Sequence, residues 1–140
     1  VDEAGRILGV DPGERRIGLA VSDPLGLIAQ GLPTFDRRED GDLFARLSEL
    51  VESYRVTRVV VGHPKSLAGR RTDATVQAEG LADEIRSRLA VEVELWDERL
   101  STVEAERTLA GSRPDKKRID RLAAVIILQG YLDAHPRAAS

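Results

Sequence analysis

The chain of 140 residues contains no cysteine and only two histidines. The first absence excludes a disulfide framework, a thiol nucleophile and zinc sites built on cysteine, and it fits a reducing compartment. Aromatic residues make up 4% of the chain, so composition gives little support to recognition by base stacking. The longest unbroken apolar stretch, Leu122 to Leu128, is far short of the roughly 20 residues that span a bilayer. The opening VDEAG has neither a basic nor an apolar signal segment, so the chain reads as cytoplasmic, with no membrane partner. No G-x-S-x-G elbow and no Walker A sequence occurs, which leaves serine-type hydrolysis and P-loop phosphate binding without a motif.

What is present describes an ordinary globular protein. Hydrophobic residues are 41% and charged residues 32% of the chain, and 21 Lys and Arg against 24 Asp and Glu give a formal charge of −3. A chain this long buries about two-thirds of its unfolded surface, enough for one core, and we expect a single domain over residues 1–140. The net charge argues against a general coat on nucleic acid, yet two stretches are locally basic. One is a Gly- and Pro-punctuated loop with Lys65, Arg70 and Arg71. The other places Arg113, Lys116, Lys117, Arg118 and Arg121 around Asp115 and Asp120. Taken alone, such clusters are usually solvated surface.

The hydrophobic pattern predicts nine elements in the order β-β-β-α-β-α-β-α-α. Arg6 to Asp11 reads as a buried strand closed by Pro12-Gly13, and Arg16 to Asp23 as its hairpin partner. Leu27 to Phe35, interrupted by Gly31 and Pro33, reads as a third strand at an edge. Asp42 caps a helix with Leu43, Leu47, Leu50, Val51 and Tyr54 at helical spacing. Arg58 to Gly62 is a β-branched central strand. Thr72 or Asp73 caps a second helix whose Val76, Leu81, Ile85 and Leu89 face inward. Val91 to Trp96 forms a fifth strand, Ser101 to Glu104 a capping box opening a third helix, and Arg118 to Ala134 the last helix. Short turns make the first three strands an antiparallel meander, whereas strands reached through helices run parallel, so the α/β sheet is mixed with its first strand central. Sites in such sheets lie beyond the carboxyl ends of the central strands.

Asp11 closes one such strand. A carboxylate there is costly to desolvate without compensation, although an Asp-Pro-Gly turn explains it equally well. Asp97 and Glu98 leave the fifth strand toward a helix, and Asp120 opens the last helix; each, alone, is more simply a cap or a salt-bridge partner. Convergence changes that balance, because the proposed topology brings the ends of strands one and five to one edge. Three carboxylates without His or Cys suit Mg²⁺ or Mn²⁺ and not zinc. His63, before Pro64, reads as a loop residue or phosphate contact.

These residues coincide with a family. The blocks GVDPGERRIGLAVSD (Gly9 to Asp23), GHPKSLAG (Gly62 to Gly69), DERLSTVEAERTL (Asp97 to Leu109) and DRLAAVIILQGYLD (Asp120 to Asp133), in this order, resemble the YqgF family, also called RuvX, of the ribonuclease H-like superfamily. The resemblance implies an RNase H-like fold with sheet order 3-2-1-4-5 and a metal-dependent nuclease. Its acidic positions fall on Asp11, Glu98 and Asp120, with Asp97 a rival to Glu98, holding one or two Mg²⁺ or Mn²⁺ ions. Arg99, Lys65, Arg70, Arg71, Lys116 and Lys117 would then contact phosphates. Family members are described both as nucleases maturing the 5′ end of precursor 16S rRNA and as Holliday junction resolvases. The partner is accordingly pre-rRNA or branched DNA, met by a monomer or, for a symmetric junction cut, a homodimer. Two other classes compete: a non-catalytic nucleic-acid-binding module, and a phosphotransferase of the actin-like ATPase fold, which needs two such domains.

Overall fold

The structure, a computed structural model, describes residues 5–64, 70–97 and 116–136, with residues 116–120 described by backbone alone. Its strands are β1 (Arg6–Asp11), β2 (Arg16–Ser22), β3 (Ala29–Asp36), β4 (Val56–His63) and β5 (Glu92–Asp97); its helices are α1 (Leu43–Ser53), α2 (Asp73–Leu89) and α3 (Lys116–Ala134). The sheet order is β3-β2-β1-β4-β5. β1 pairs antiparallel with β2 and parallel with β4, β2 pairs antiparallel with β3, and β4 parallel with β5. The meander, the mixed sheet and the central first strand are those the sequence predicts. The predicted helix opening at Ser101 lies outside the described residues. Among the described residues, no helix is long and apolar enough to cross a membrane.

Alternation along each strand divides the core in two. Leu8, Val10, Ile17, Leu19, Val59 and Val61 face α1 and α2, where Leu43, Leu47, Ala78, Leu81, Ala82 and Ile85 complete one cluster. Ile7, Ala20, Ala29 and Val60 face α3, meeting Ala124, Ile127, Leu128, Tyr131 and Leu132. Local chemistry fixes the helix starts. Asp42 accepts a hydrogen bond from the Phe44 N–H at 3.0 Å, and Thr72 forms a reciprocal capping box with Thr75, each satisfying orphan donors of a first turn.

Two expectations are corrected. Val76 does not face inward; it is 54% exposed, and Thr75 and Ala78 are buried in its place. The capping box turns the Thr75 hydroxyl into the interior, where it also donates to the Pro64 carbonyl, and this sets the rotation of the helix. The third strand starts at Ala29, two residues late. The Asp23 carboxylate accepts from the N–H groups of Leu27 (2.7 Å) and Ile28 (2.9 Å), and Gly26 takes φ +71, so these residues form the tip of the β2–β3 hairpin.

α3 lies close against the sheet because one row of it is small. Gly31, Ala20 and Gly9 stand side by side on neighbouring strands. A Cβ at Gly9 would sit 2.8 Å from the Leu128 Cβ, and one at Gly31 2.6 Å from the Arg121 Cγ. Further along, Gln129 accepts from the Ala29 N–H and donates to the Leu27 carbonyl, both at 2.9 Å. Arg121 over Gly31 and Gln129 beside Ala29 make α3 antiparallel to β3, and hence to β1. The first turns of α3 therefore lie toward the carboxyl end of β1.

Candidate active site at the carboxyl edge of the sheet

Parallel pairing brings the ends of β1, β4 and β5 to one edge. Val10 pairs with Val61, and His63 with Asp97, so Asp11, His63 and Asp97 terminate neighbouring strands. Asp11 continues the alternation of Ile7 and Gly9 and belongs to the α3 face of the sheet. It is flanked by glycine on both sides: its partner on β2 is Gly18, and Gly62 stands one step beyond the Val10–Val61 pair on β4. The positions directly across from Asp11 on both neighbouring strands thus carry no side chain of their own.

The helix supplies the far wall. From Leu128, above Gly9, back to Asp120 is eight residues, about 12 Å of helix rise, while Asp11 is about 6.6 Å along the strand from Gly9. The first turn of α3 thus reaches past the level of Asp11. Position 120 lies one turn before Ala124 and two before Leu128, on the helix face that meets the sheet.

Asp97 is placed differently. Val93 and Leu95 pack against the α1 and α2 cluster, whereas Trp96 packs against the α3 cluster, so alternation assigns Asp97 to the face opposite Asp11. Glu98, Arg99 and Lys65 lie outside the described residues. Asp120, Lys116 and Lys117 sit on the opening turns of α3, their side chains likewise undescribed. Arg70 and Arg71 immediately precede the cap of α2, whose N-terminus is fastened to the end of β4 through Thr75 and Pro64. Among the described residues, no group of three His, Asp or Glu side chains assembles a metal site. Asp11 nonetheless supplies a hard oxygen donor of the kind Mg²⁺ and Mn²⁺ take.

Two further features are visible only in the folded chain. Arg16, on β2, shares the α3 face with Gly18 and Ala20, and its Nε is buried with no hydrogen-bond partner among the described residues; such atoms are rare in folded proteins. His63 and Arg71 share one carboxylate, Glu79 of α2. Hydrophobic periodicity treats Glu79 as one more polar position on an amphipathic helix, and only the packing of α2 on β4 shows what it touches.

A central strand ending in an acid, β4 and then β5 parallel beyond it and ending at its level, and a helix packed across one face define the class: an RNase H-like fold. The same fold occurs in Thermus thermophilus RuvC in complex with Holliday junction substrate, with a TM-score of 0.60 and 18% identity, covering 93% of this chain and 94% of that one. The chain itself belongs to the RuvX family, described as Holliday junction resolvase, whose model matches residues 5–134. Curated relatives from Bacillus cytotoxicus and Bacillus mycoides are each 44% identical over 135 residues, covering 92% of this chain and 98% of the relative; both carry the name "Putative pre-16S rRNA nuclease".

Proposed function

We propose that this chain is a cytoplasmic, divalent-metal-dependent nuclease that hydrolyses phosphodiester bonds in structured nucleic acid and matures the 5′ end of pre-16S rRNA. The observation that carries the reading is the place of Asp11, at the end of the central strand, flanked by Gly18 and Gly62 and overhung by the first turn of α3. Asp11, Glu98 and Asp120 are the proposed ligands of Mg²⁺ or Mn²⁺. The opposite-face position of Asp97 favours Glu98 over it as the second acid. When bound, the ion supplies an activated water and a positive charge for the leaving oxygen. Asp11 and Asp120 orient that chemistry from strand and helix, so the scissile phosphate is fixed between two rigid elements. Arg70 and Arg71, with Arg99, Lys65, Lys116 and Lys117, neutralise phosphate charge and guide the strand.

The family description favours a second substrate, the four-way DNA junction, which requires a homodimer for symmetric cutting. One experiment addresses both: Mg²⁺- or Mn²⁺-dependent cleavage of a pre-16S 5′-leader RNA and a four-way DNA junction, with wild type beside Asp11→Asn. Wild type is expected to cut the RNA, and Asp11→Asn to lose roughly three powers of ten in rate. Preference for the junction would transfer the activity to DNA. Binding of both without cleavage would leave a nucleic-acid-binding module in place of the enzyme.

A further inference from the structure

The carboxyl edge of the sheet carries a second charged cluster, on the face opposite Asp11. His63 ends β4, and its Nε2 lies 2.9 Å from Glu79 Oε2. A carboxylate only accepts, so this nitrogen carries the proton. The other oxygen of Glu79 accepts from Arg71 Nη2. One carboxylate, nearly two turns into α2, therefore ties the end of β4 to the residue that precedes the helix cap. Glu79 is held below the usual carboxylate range by the hydrogen bond from His63 and by the charge of Arg71, so it is ionised at neutral pH.

Exposure grades outward through the cluster. The side chains of His63, Glu79 and Arg71 are 13%, 29% and 64% exposed. Among the described residues Arg71 engages Glu79 through one nitrogen, and a guanidinium has further donors to offer an acceptor. An ion pair this open to solvent adds little to the stability of a fold. What it does fix is where a mobile guanidinium stands. That place is the edge where β1 and β4 end, and Asp11 lies one strand away from Gly62 and His63.

We propose that Glu79 is a positioning residue of the phosphodiester-binding edge: it holds Arg71, together with His63, so that the guanidinium meets a backbone phosphate of the strand whose scissile bond lies at Asp11. The inference rests on the nuclease reading above and extends it to a residue outside the family motifs quoted for this chain.

Net charge and positioning predict opposite signs. By charge alone, Glu79→Gln removes a negative group and tightens binding of a polyanion. Under positioning it raises KM for the cleaved substrate about five- to tenfold, with kcat within about twofold, because a charged hydrogen bond to phosphate is lost. Glu79→Asp, which keeps the charge but shortens the reach, moves KM in the same direction and decides the matter if the Gln variant does not fold. Glu84→Gln removes the same charge from the same helix, at a pair with Arg88 (3.2 Å), and leaves KM unchanged or lower. Added to Arg71→Gln, Glu79→Gln has little further effect, since both act through one contact. Dissociation constants for the leader RNA and the four-way junction, measured in EDTA, follow the same order. An unchanged or lowered KM in Glu79→Gln, or additive effects in the double variant, overturns the inference and leaves the nuclease reading intact. Wild type that cuts neither substrate overturns the nuclease reading, and the EDTA series then decides Glu79: weaker binding in Glu79→Gln supports its role, while equal or tighter binding, or none by wild type, removes it.

Discussion

Asp36 shows how a single buried acid can be stable in this protein. It is 2% exposed, and its carboxylate accepts from the Arg38 N–H at 2.8 Å and from Arg15 Nε at 3.2 Å. The Arg38 N–H, followed by the Arg15 side chain, holds its pKa below the ordinary carboxylate value against the opposing effect of burial. A depressed folded pKa means that the unfolded chain takes up the proton first as pH falls. The stabilisation is therefore fully present above the unfolded value of about pH 4 and lost progressively as pH falls from there through the lower folded value. Asp36→Asn is expected to flatten the acid limb of a stability-versus-pH curve from urea unfolding while leaving activity at neutral pH in place. Arg15 also lies in the turn joining β1 to β2, so this pair fastens the segment that follows Asp11.

At the scale of elements, the seating of α3 on the sheet is the feature on which the site depends most. Gly9→Ala would drive a Cβ to 2.8 Å from that of Leu128, a tertiary contact between backbone-anchored atoms. We expect a loss of about 1–3 kcal/mol, read as a lower unfolding midpoint, and a fall in cleavage rate because position 120 moves with the helix. Gly80→Ala is the counterpart. Nothing lies within 4 Å of a Cβ there, and the position is exposed within α2, so helix propensity should raise stability by about 0.5–1 kcal/mol. The element-level sequence signals were local and legible: Asp42 and Thr72 cap where their side-chain chemistry predicts, and the five strands fall where apolar runs end in Gly, Pro or Asp. The pattern misleads at Val76 because an apolar residue at roughly helical spacing does not say which neighbour takes the inward place. Thr75 takes it, because its hydroxyl has the Thr72 N–H and the Pro64 carbonyl as partners.

For the molecule as a whole, the sheet needs cover on both faces. α3 alone provides the described cover over Ile7, Ala20, Ala29 and Val60, and Tyr131 extends it to β5 through a 2.5 Å hydrogen bond donated to Glu94, while accepting from Arg58 at 2.8 Å. A chain ended before Lys116 would expose that apolar face, and we expect it to lack a cooperative thermal transition and to aggregate. The amino-acid sequence by itself determined the five strands and the three described helices, the mixed sheet with its first strand central, and Asp11 as the acid at the end of that strand. These follow from periodicity, turn chemistry and connection length, which act over a few neighbouring residues or through the handedness of crossovers. The tertiary structure decided the rest: that Asp97 stands on the face away from Asp11, that Gly18 and Gly62 are the residues flanking Asp11, and that Glu79 gathers His63 and Arg71. Each depends on how segments distant in the chain meet, and a shift of one residue in strand pairing would send side chains such as those of His63 and Asp97 to the other face.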